Sequence, residues 1–171
     1  MYTLGPLDAP HRTALDTLLR ASHAFSHEEI EVALALFDET TLTPGTPPED
    51  YEFVAAFDRA GSLAGYCCYG ATPGTEGTYD VYWIAVDPVH QGGGVGSRLL
   101  AEVERRLAER RARLVVVETS GRDGYEAARR FYDARGYRVA ARLRDFYGPA
   151  DDRLVFTRHL ESPPSPAPSG A

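Results

Sequence analysis

The 171-residue chain contains no lysine, so all 18 of its basic Lys/Arg positions are arginine. A Walker-type phosphate loop ends in Gly-Lys-Ser/Thr, and a P-loop nucleotidase is therefore excluded. Cysteine is nearly absent as well. Cys67 and Cys68 are neighbours, poorly placed to pair with each other and without metal-site spacing, so both are expected to be small buried residues. None of the five histidines stands at paired ligand spacing, and no metal is expected. No apolar run approaches the length of a membrane span, and the opening residues lack the basic segment and apolar stretch of a secretory leader. A cytoplasmic protein with no membrane partner is the expectation. A net charge of −7 disfavours a nucleic-acid partner, whose phosphates need a basic surface. It leaves room for a cationic substrate, although most acidic surfaces only aid solubility.

The length suits one domain with a full core, expected over residues 1–160, with a disordered tail of proline, serine and alanine at 161–171. Helices are expected over 10–24, lined by Leu15, Leu18, Leu19 and then Phe25, and over 27–39, lined by Ile30, Ala33, Leu34 and Phe37. Ser26 and Glu29 have the spacing of a capping box for the second. Residues 43–50 carry three prolines and a glycine and read as a loop. Strands near 51–58 and 62–71 flank Ala60-Gly61 as a hairpin, and a short strand is possible at 2–4. A further strand at 79–86 enters the core through Val81, Trp83, Ile84 and Val86. The run 113–118 is too apolar for one wet face and reads as an interior strand. A helix over 125–135, capped by Ser120 or Asp123 and stopped by Gly136, precedes a strand pair at 138–146 and 153–159. This succession is a mixed α+β fold on one sheet.

Residues 86–97 read Val-Asp-Pro-Val-His-Gln-Gly-Gly-Gly-Val-Gly-Ser, between that strand and an amphipathic helix striped by Leu99, Leu100, Val103 and Leu107. Glycines let backbone approach a ligand closely, and a helix start offers unpaired N–H groups and a positive dipole end. Such a segment is built to hold an anion such as a pyrophosphate. A dinucleotide fingerprint G-x-G-x-x-G would require glycine at Ser97 or at Leu99, so it fits poorly. Gln91-x-x-Gly94-x-Gly96 is the pattern that stands there, and a flexible glycine turn without a ligand is the plain alternative.

That pattern after an apolar strand resembles the acyl-CoA loop of the GNAT superfamily of N-acyltransferases, of the form Gln/Arg-x-x-Gly-x-Gly/Ala. Downstream, Ala128-Arg129-Arg130-Phe131-Tyr132-Asp133-Ala134-Arg135-Gly136-Tyr137 resembles the second signature, A-x-x-F-Y-x-x-x-G-Y. The resemblance covers about residues 50 to 160 and departs at Tyr125, where the family often has asparagine. It implies a GNAT fold: a central, mostly antiparallel twisted sheet with a splayed parallel strand pair, flanked by helices. It also implies acetyl-CoA as co-substrate and a primary amine as acceptor. The peptides of Ile84, Ala85 and Val86 would pair with the pantetheine arm, the Val86 N–H would polarise the thioester carbonyl, and Gln91, Gly92, Gly93, Gly94, Val95, Gly96 and Ser97 would hold the pyrophosphate. Arg98 and Arg129 could meet phosphate, though solvation is the default for either.

Acyl transfer to an amine needs a proton acceptor for the amine and a proton for the departing thiolate. Glu118 ends the interior strand and is the candidate base, with partial burial expected to raise its pKa; a capping or salt-bridged glutamate is the alternative. Asp80 competes for the role, ahead of Tyr82 and Glu76. Tyr132 is the candidate acid, as the resemblance also implies, with packing on the cofactor arm as its alternative. Helical spacing puts Phe131 on a different face from Tyr132, so Phe131 is expected to fill the core while Tyr132 faces the cleft. His90, beside the loop, is expected to be solvated.

Acceptor contacts are expected from the helix pair at 10–39, the 40–50 loop and the final hairpin. Tyr147, in Asp145-Phe146-Tyr147-Gly148, resembles a substrate-contacting tyrosine of protein N-terminal acetyltransferases, and a packing aromatic is equally open. Asp80 is the second candidate substrate contact. Glu28, Glu29 and Glu31 could attract a cationic amine or simply face solvent. The acceptor is a small amine or a peptide amine, and a homodimer is possible. A non-catalytic acyl-CoA-binding sensor is the rival reading, which would keep the loop without needing Glu118 or Tyr132.

Overall fold

The computed structural model describes residues 1–22, 25–42 and 51–160. The expected loop at 43–50, the last two residues of the first expected helix and the tail at 161–171 lie outside them. Among the described residues, seven strands run in the order β1 (Thr3–Gly5), β2 (Glu52–Phe57), β3 (Leu63–Ala71), β4 (Thr78–Val86), β5 (Leu114–Ser120), β7 (Asp151–His159) and β6 (Arg138–Gly148), mostly antiparallel with one parallel pair, and helices flank the sheet. The chain falls into two compact units, residues 1–71 with 81–103, and residues 72–80 with the chain from 104 onward.

In the first unit, β1 (Thr3–Gly5) pairs antiparallel with β2 (Glu52–Phe57), which pairs antiparallel with β3 (Leu63–Ala71). Every residue of β3 but the last is buried, as a strand without a wet face requires, and Cys67 and Cys68 lie buried within it. The turn between β2 and β3 places Gly61 at φ +81°, and Asp58 Oδ1 accepts from the Ala60 and Ser62 N–H groups. The helix α1 (Arg12–Ser22) starts two residues later than expected because a 3-10 turn, Ala9–His11, precedes it. The next helix, α2 (His27–Leu42), runs three residues past the expected end. Its capping box is present: the Ser26 N–H donates to Glu29 at 2.7 Å, and the Glu29 N–H donates to Ser26 Oγ at 3.2 Å. Leu15, Leu18, Leu19, Ile30, Leu34 and Phe37 build a core with Ala55, Tyr66 and Cys68.

The strand β4 (Thr78–Val86) leads through the glycine loop into α3 (Val95–Glu109). The approach of α3 to β3 is set at Gly65, where a Cβ would come within 2.8 Å of the Ala85 carbonyl and 2.9 Å of Val95 Cγ1. Only a residue without a side chain lets the helix start so near the sheet.

In the second unit, β5 (Leu114–Ser120) pairs antiparallel with β7 (Asp151–His159) without a register shift. The other neighbour of β7 is β6 (Arg138–Gly148), with irregularities after Val139 and Leu143. The hairpin is longer than expected, and only Pro149-Ala150 separates its strands. The helix α4 (Glu126–Asp133) is shorter than expected, and neither Ser120 nor Asp123 caps it. Asp123 instead starts a 3-10 turn, Asp123–Tyr125, and the Ser120 hydroxyl is held by Asp151. Gly136, at φ +80°, does end the helical segment. Tyr137 is fully buried and donates to Glu104 at 2.9 Å, while Arg158 reaches the same carboxylate at 2.7 Å.

Candidate active site

The glycine loop is shaped by backbone. The Asp87 N–H donates to the Ala64 carbonyl at 3.0 Å as the chain leaves β4, and the Asp87 side chain caps the 3-10 turn Pro88–His90 by accepting from Val89. Gln91 then folds back, its Nε2 donating to the Val86 carbonyl at 3.4 Å. Gly92 and Gly94 take φ of +74° and +78°, which an L side chain rarely adopts. Nothing lies within 4 Å of a Cβ built on either, and residues 91–94 are exposed. The Arg98 N–H donates to the Gly94 carbonyl at 3.1 Å, so the N–H groups of residues 95–97 form the first turn, where a helix has no carbonyl to offer them. An open row of glycine peptides running into a helix N-terminus fits a pyrophosphate. Val95 is buried, so only its peptide can face such a ligand.

Two residues beside this loop differ from expectation. His90 is half-buried rather than solvated: its Nδ1 lies 3.3 Å from the Tyr2 hydroxyl, and its Nε2 lies 3.8 Å from an Asp58 oxygen. Arg98 uses its guanidinium on the Tyr2 carbonyl, at 3.0 Å.

Glu118, Tyr132, Tyr147 and Asp80 all lie in the second unit. Glu118 is exposed and ion-paired with Arg153, so the expected partial burial is not found. The cause is the β5–β7 register, which sets Arg153 opposite Ser120, two residues along from Glu118. The Arg153 guanidinium lies over the Phe146 ring at 4.7 Å. At the end of β5 the Ser120 hydroxyl donates to the buried Asp151 carboxylate, which also pairs with Arg122 at 2.9 Å. Arg129 donates to the carbonyls of Ser120 and Arg122 at 2.9 and 2.7 Å, which makes it a tether for this turn.

The expected burial of Phe131 and Tyr132 is reversed. Tyr132 is the buried one, 5% exposed, with ring contacts to Phe131, Tyr137 and Phe156. Phe131 is half-buried, with the Arg135 guanidinium 3.6 Å from its ring centroid. Within α4 the face toward β7 is the one that carries Tyr132, and Phe156 and Tyr137 occupy it.

Asp80 accepts from the Thr72 hydroxyl at 2.6 Å, and Tyr82 packs against Tyr51 with centroids 5.1 Å apart. Tyr147 is half exposed and meets Phe146 edge to face at 5.0 Å. Glu28 is exposed on α2, whereas Glu29 serves the capping box and Glu31 pairs with Arg20 at 3.1 Å. The contacts of Tyr2, Asp58 and Arg153 had no signal in the sequence beyond one for Tyr2, the glycine at position 93, which the loop pattern does not demand. Among the described residues, no helix is long and apolar enough to cross a membrane, and no group of three or more His, Cys, Asp or Glu could hold a metal ion.

The model of the acetyltransferase (GNAT) family matches residues 13–137. A solved structure from Desulfovibrio desulfuricans, assigned to the same family, is 37% identical over 93% of this chain and 99% of its own, with a TM-score of 0.84. The ribosomal-protein-S18-alanine N-acetyltransferase of Escherichia coli is 18% identical, with 100% of this chain and 99% of that one covered and a TM-score of 0.76. An aminoglycoside 6′-N-acetyltransferase solved with coenzyme A is 17% identical, over 95% and 99%, at a TM-score of 0.73. The last two are likenesses of fold. No curated protein matches the chain in sequence.

Proposed function

The chain belongs to the acetyltransferase (GNAT) family, and from that premise we propose that it moves an acetyl group from acetyl-CoA to a primary amine by direct attack in a ternary complex. The observation that carries this reading is the exposed loop with Gly92 and Gly94 at positive φ, running into the start of α3. Gln91 to Ser97 hold the pyrophosphate through their peptides, and the backbone of Ile84, Ala85 and Val86 pairs with the pantetheine amides, the Val86 N–H polarising the thioester carbonyl. Acetyl-CoA, when bound, supplies an acyl group already activated as a thioester.

Tyr132 gives a proton to the departing sulfur. Its ring is held by Tyr137 and Phe156, and such support fixes the position of a phenol that must deliver a proton to one atom. Glu118 takes the amine proton, directly or through water, with Arg153 orienting its carboxylate; Asp80 is the alternative base and a candidate substrate contact. Tyr147, half exposed near the end of β6, is the candidate contact for a small amine or a peptide amine.

We read residues 1–160 as one catalytic domain acting in the cytoplasm. A homodimer belongs to the same reading, because β6 is exposed along almost its whole length and carries Val139, Leu143 and Phe146. A second copy would cover that edge.

The test is thiol release from acetyl-CoA over a panel of small amines and peptides, alongside calorimetry with coenzyme A. Turnover above hydrolysis with any amine is the expected result. Binding without turnover on any amine would favour a sensor, and no binding at millimolar ligand would end the acetyl-CoA reading.

A further inference from the structure

Position 93 is free in the pattern Gln91-x-x-Gly94-x-Gly96, yet glycine stands there. Gly92 and Gly94 are explained by their positive φ, but Gly93 is not among the positive-φ glycines. Its reason is space. A Cβ at 93 would lie 2.9 Å from the Tyr2 hydroxyl and 3.1 Å from the His90 carbonyl.

The same hydroxyl lies 3.3 Å from His90 Nδ1, and the two rings meet edge to face with centroids 5.6 Å apart. Behind His90, its Nε2 faces Asp58 at 3.8 Å, and Asp58 is fixed in turn by two backbone N–H groups of its own turn. The Tyr2 carbonyl receives Arg98 from the first turn of α3 at 3.0 Å. One residue at the start of the described chain thus touches the loop before its glycines, at its middle glycine, and at the helix it enters. A loop made of glycines has much conformational freedom to lose on binding a ligand, and contacts that remove that freedom beforehand raise affinity.

We propose that Tyr2, backed by His90 and Asp58, is a positioning residue for the glycine loop, holding it in its ligand-binding shape before the donor arrives. This rests on the acetyl-CoA reading above. It sets donor affinity and leaves turnover at saturating donor unchanged.

The test is Tyr2→Phe, which keeps the ring and removes the hydroxyl. In the free protein, hydrogen exchange at amides 91–97 should quicken. In the assay the KM for acetyl-CoA should rise about threefold to tenfold, the worth of one side-chain hydrogen bond, with kcat unchanged. His90→Gln, on the other side of the contact, should give the same pattern, and the double variant should be no worse than either single one. Gly93→Ala should weaken donor binding more in the native background than beside Tyr2→Phe, where the oxygen nearest the new methyl is gone. Unchanged exchange and KM in both Tyr2→Phe and His90→Gln would overturn the proposal, and so would a loss of kcat at constant KM. If the native protein binds no coenzyme A, the acetyl-CoA reading fails, while the exchange comparison in free protein still decides whether Tyr2 holds the loop.

Discussion

The glycine loop at 87–97 and the segment from Glu118 to Tyr132 are built in opposite ways. The loop presents peptides: Gly92, Gly93 and Gly94 are exposed, and the side chains around it (Asp87, Gln91, Arg98) are spent on holding backbone. The second segment presents side chains, and several of them are engaged by residues far away in sequence. Glu118 meets Arg153, Ser120 meets Asp151, and Tyr132 meets Phe156. A site made of peptides is most sensitive to changes that alter its backbone. A site made of engaged side chains is most sensitive to changes in those side chains.

The largest expected effect tests that contrast in the second segment. Tyr132→Phe keeps the ring packing and should lower kcat roughly 100-fold or more, the lower range for losing a general acid, while acetyl-CoA affinity persists. Glu118→Gln should lower turnover as well, and by more than Arg153→Met, which removes the orienting partner but leaves the carboxylate. Equal and small effects from those two variants would leave Glu118 as an ion-pair residue and nothing more. In the loop, Gly94→Val forces a branched side chain to φ +78°, a strain of about 1–2 kcal/mol, and should weaken donor binding about tenfold at unchanged kcat. A loss of kcat instead would break the distinction between the two regions.

The smallest effect concerns stability. The Asp152 carboxylate accepts the Asp145 N–H at 3.0 Å and pairs with Arg142, and these contacts, in that order, hold its carboxyl below the usual range. A carboxyl lowered on folding stabilises the native state at pH above its ordinary value, and that contribution is lost as pH falls through the lowered one. Asp152→Asn should therefore flatten the acid limb of a melting-temperature profile without changing donor affinity.

The contrast also explains what was legible in the sequence. Glycine is a mark of backbone geometry, so Gly92 and Gly94 announced the loop, and the Ser26/Glu29 box and the leucines of α1 announced local helical structure. These signals act over a few residues. The burial of Tyr132 over Phe131 was not legible, because the two are neighbours on a short helix and the choice is made by Phe156 on β7. The pairing of Glu118 with Arg153 depends on strand register, which one strand alone does not encode. His90 looked like a surface residue because Tyr2 and Asp58, which enclose it, are 88 and 32 positions away.

Gly65 carries a consequence for how variants of this protein would be interpreted. It sits near the start of a buried strand, yet the missing side chain there is what allows Val95, the first residue of α3, to stand where it does. Any larger residue at 65 would meet the Ala85 carbonyl of β4 and the Val95 side chain of α3, so the strand before the loop or the start of the helix after it must give way. A selection scored only on donor affinity would therefore return substitutions at Gly65 beside those in the loop. They would pass for contact mutations, although what they change is the foundation on which the contact stands.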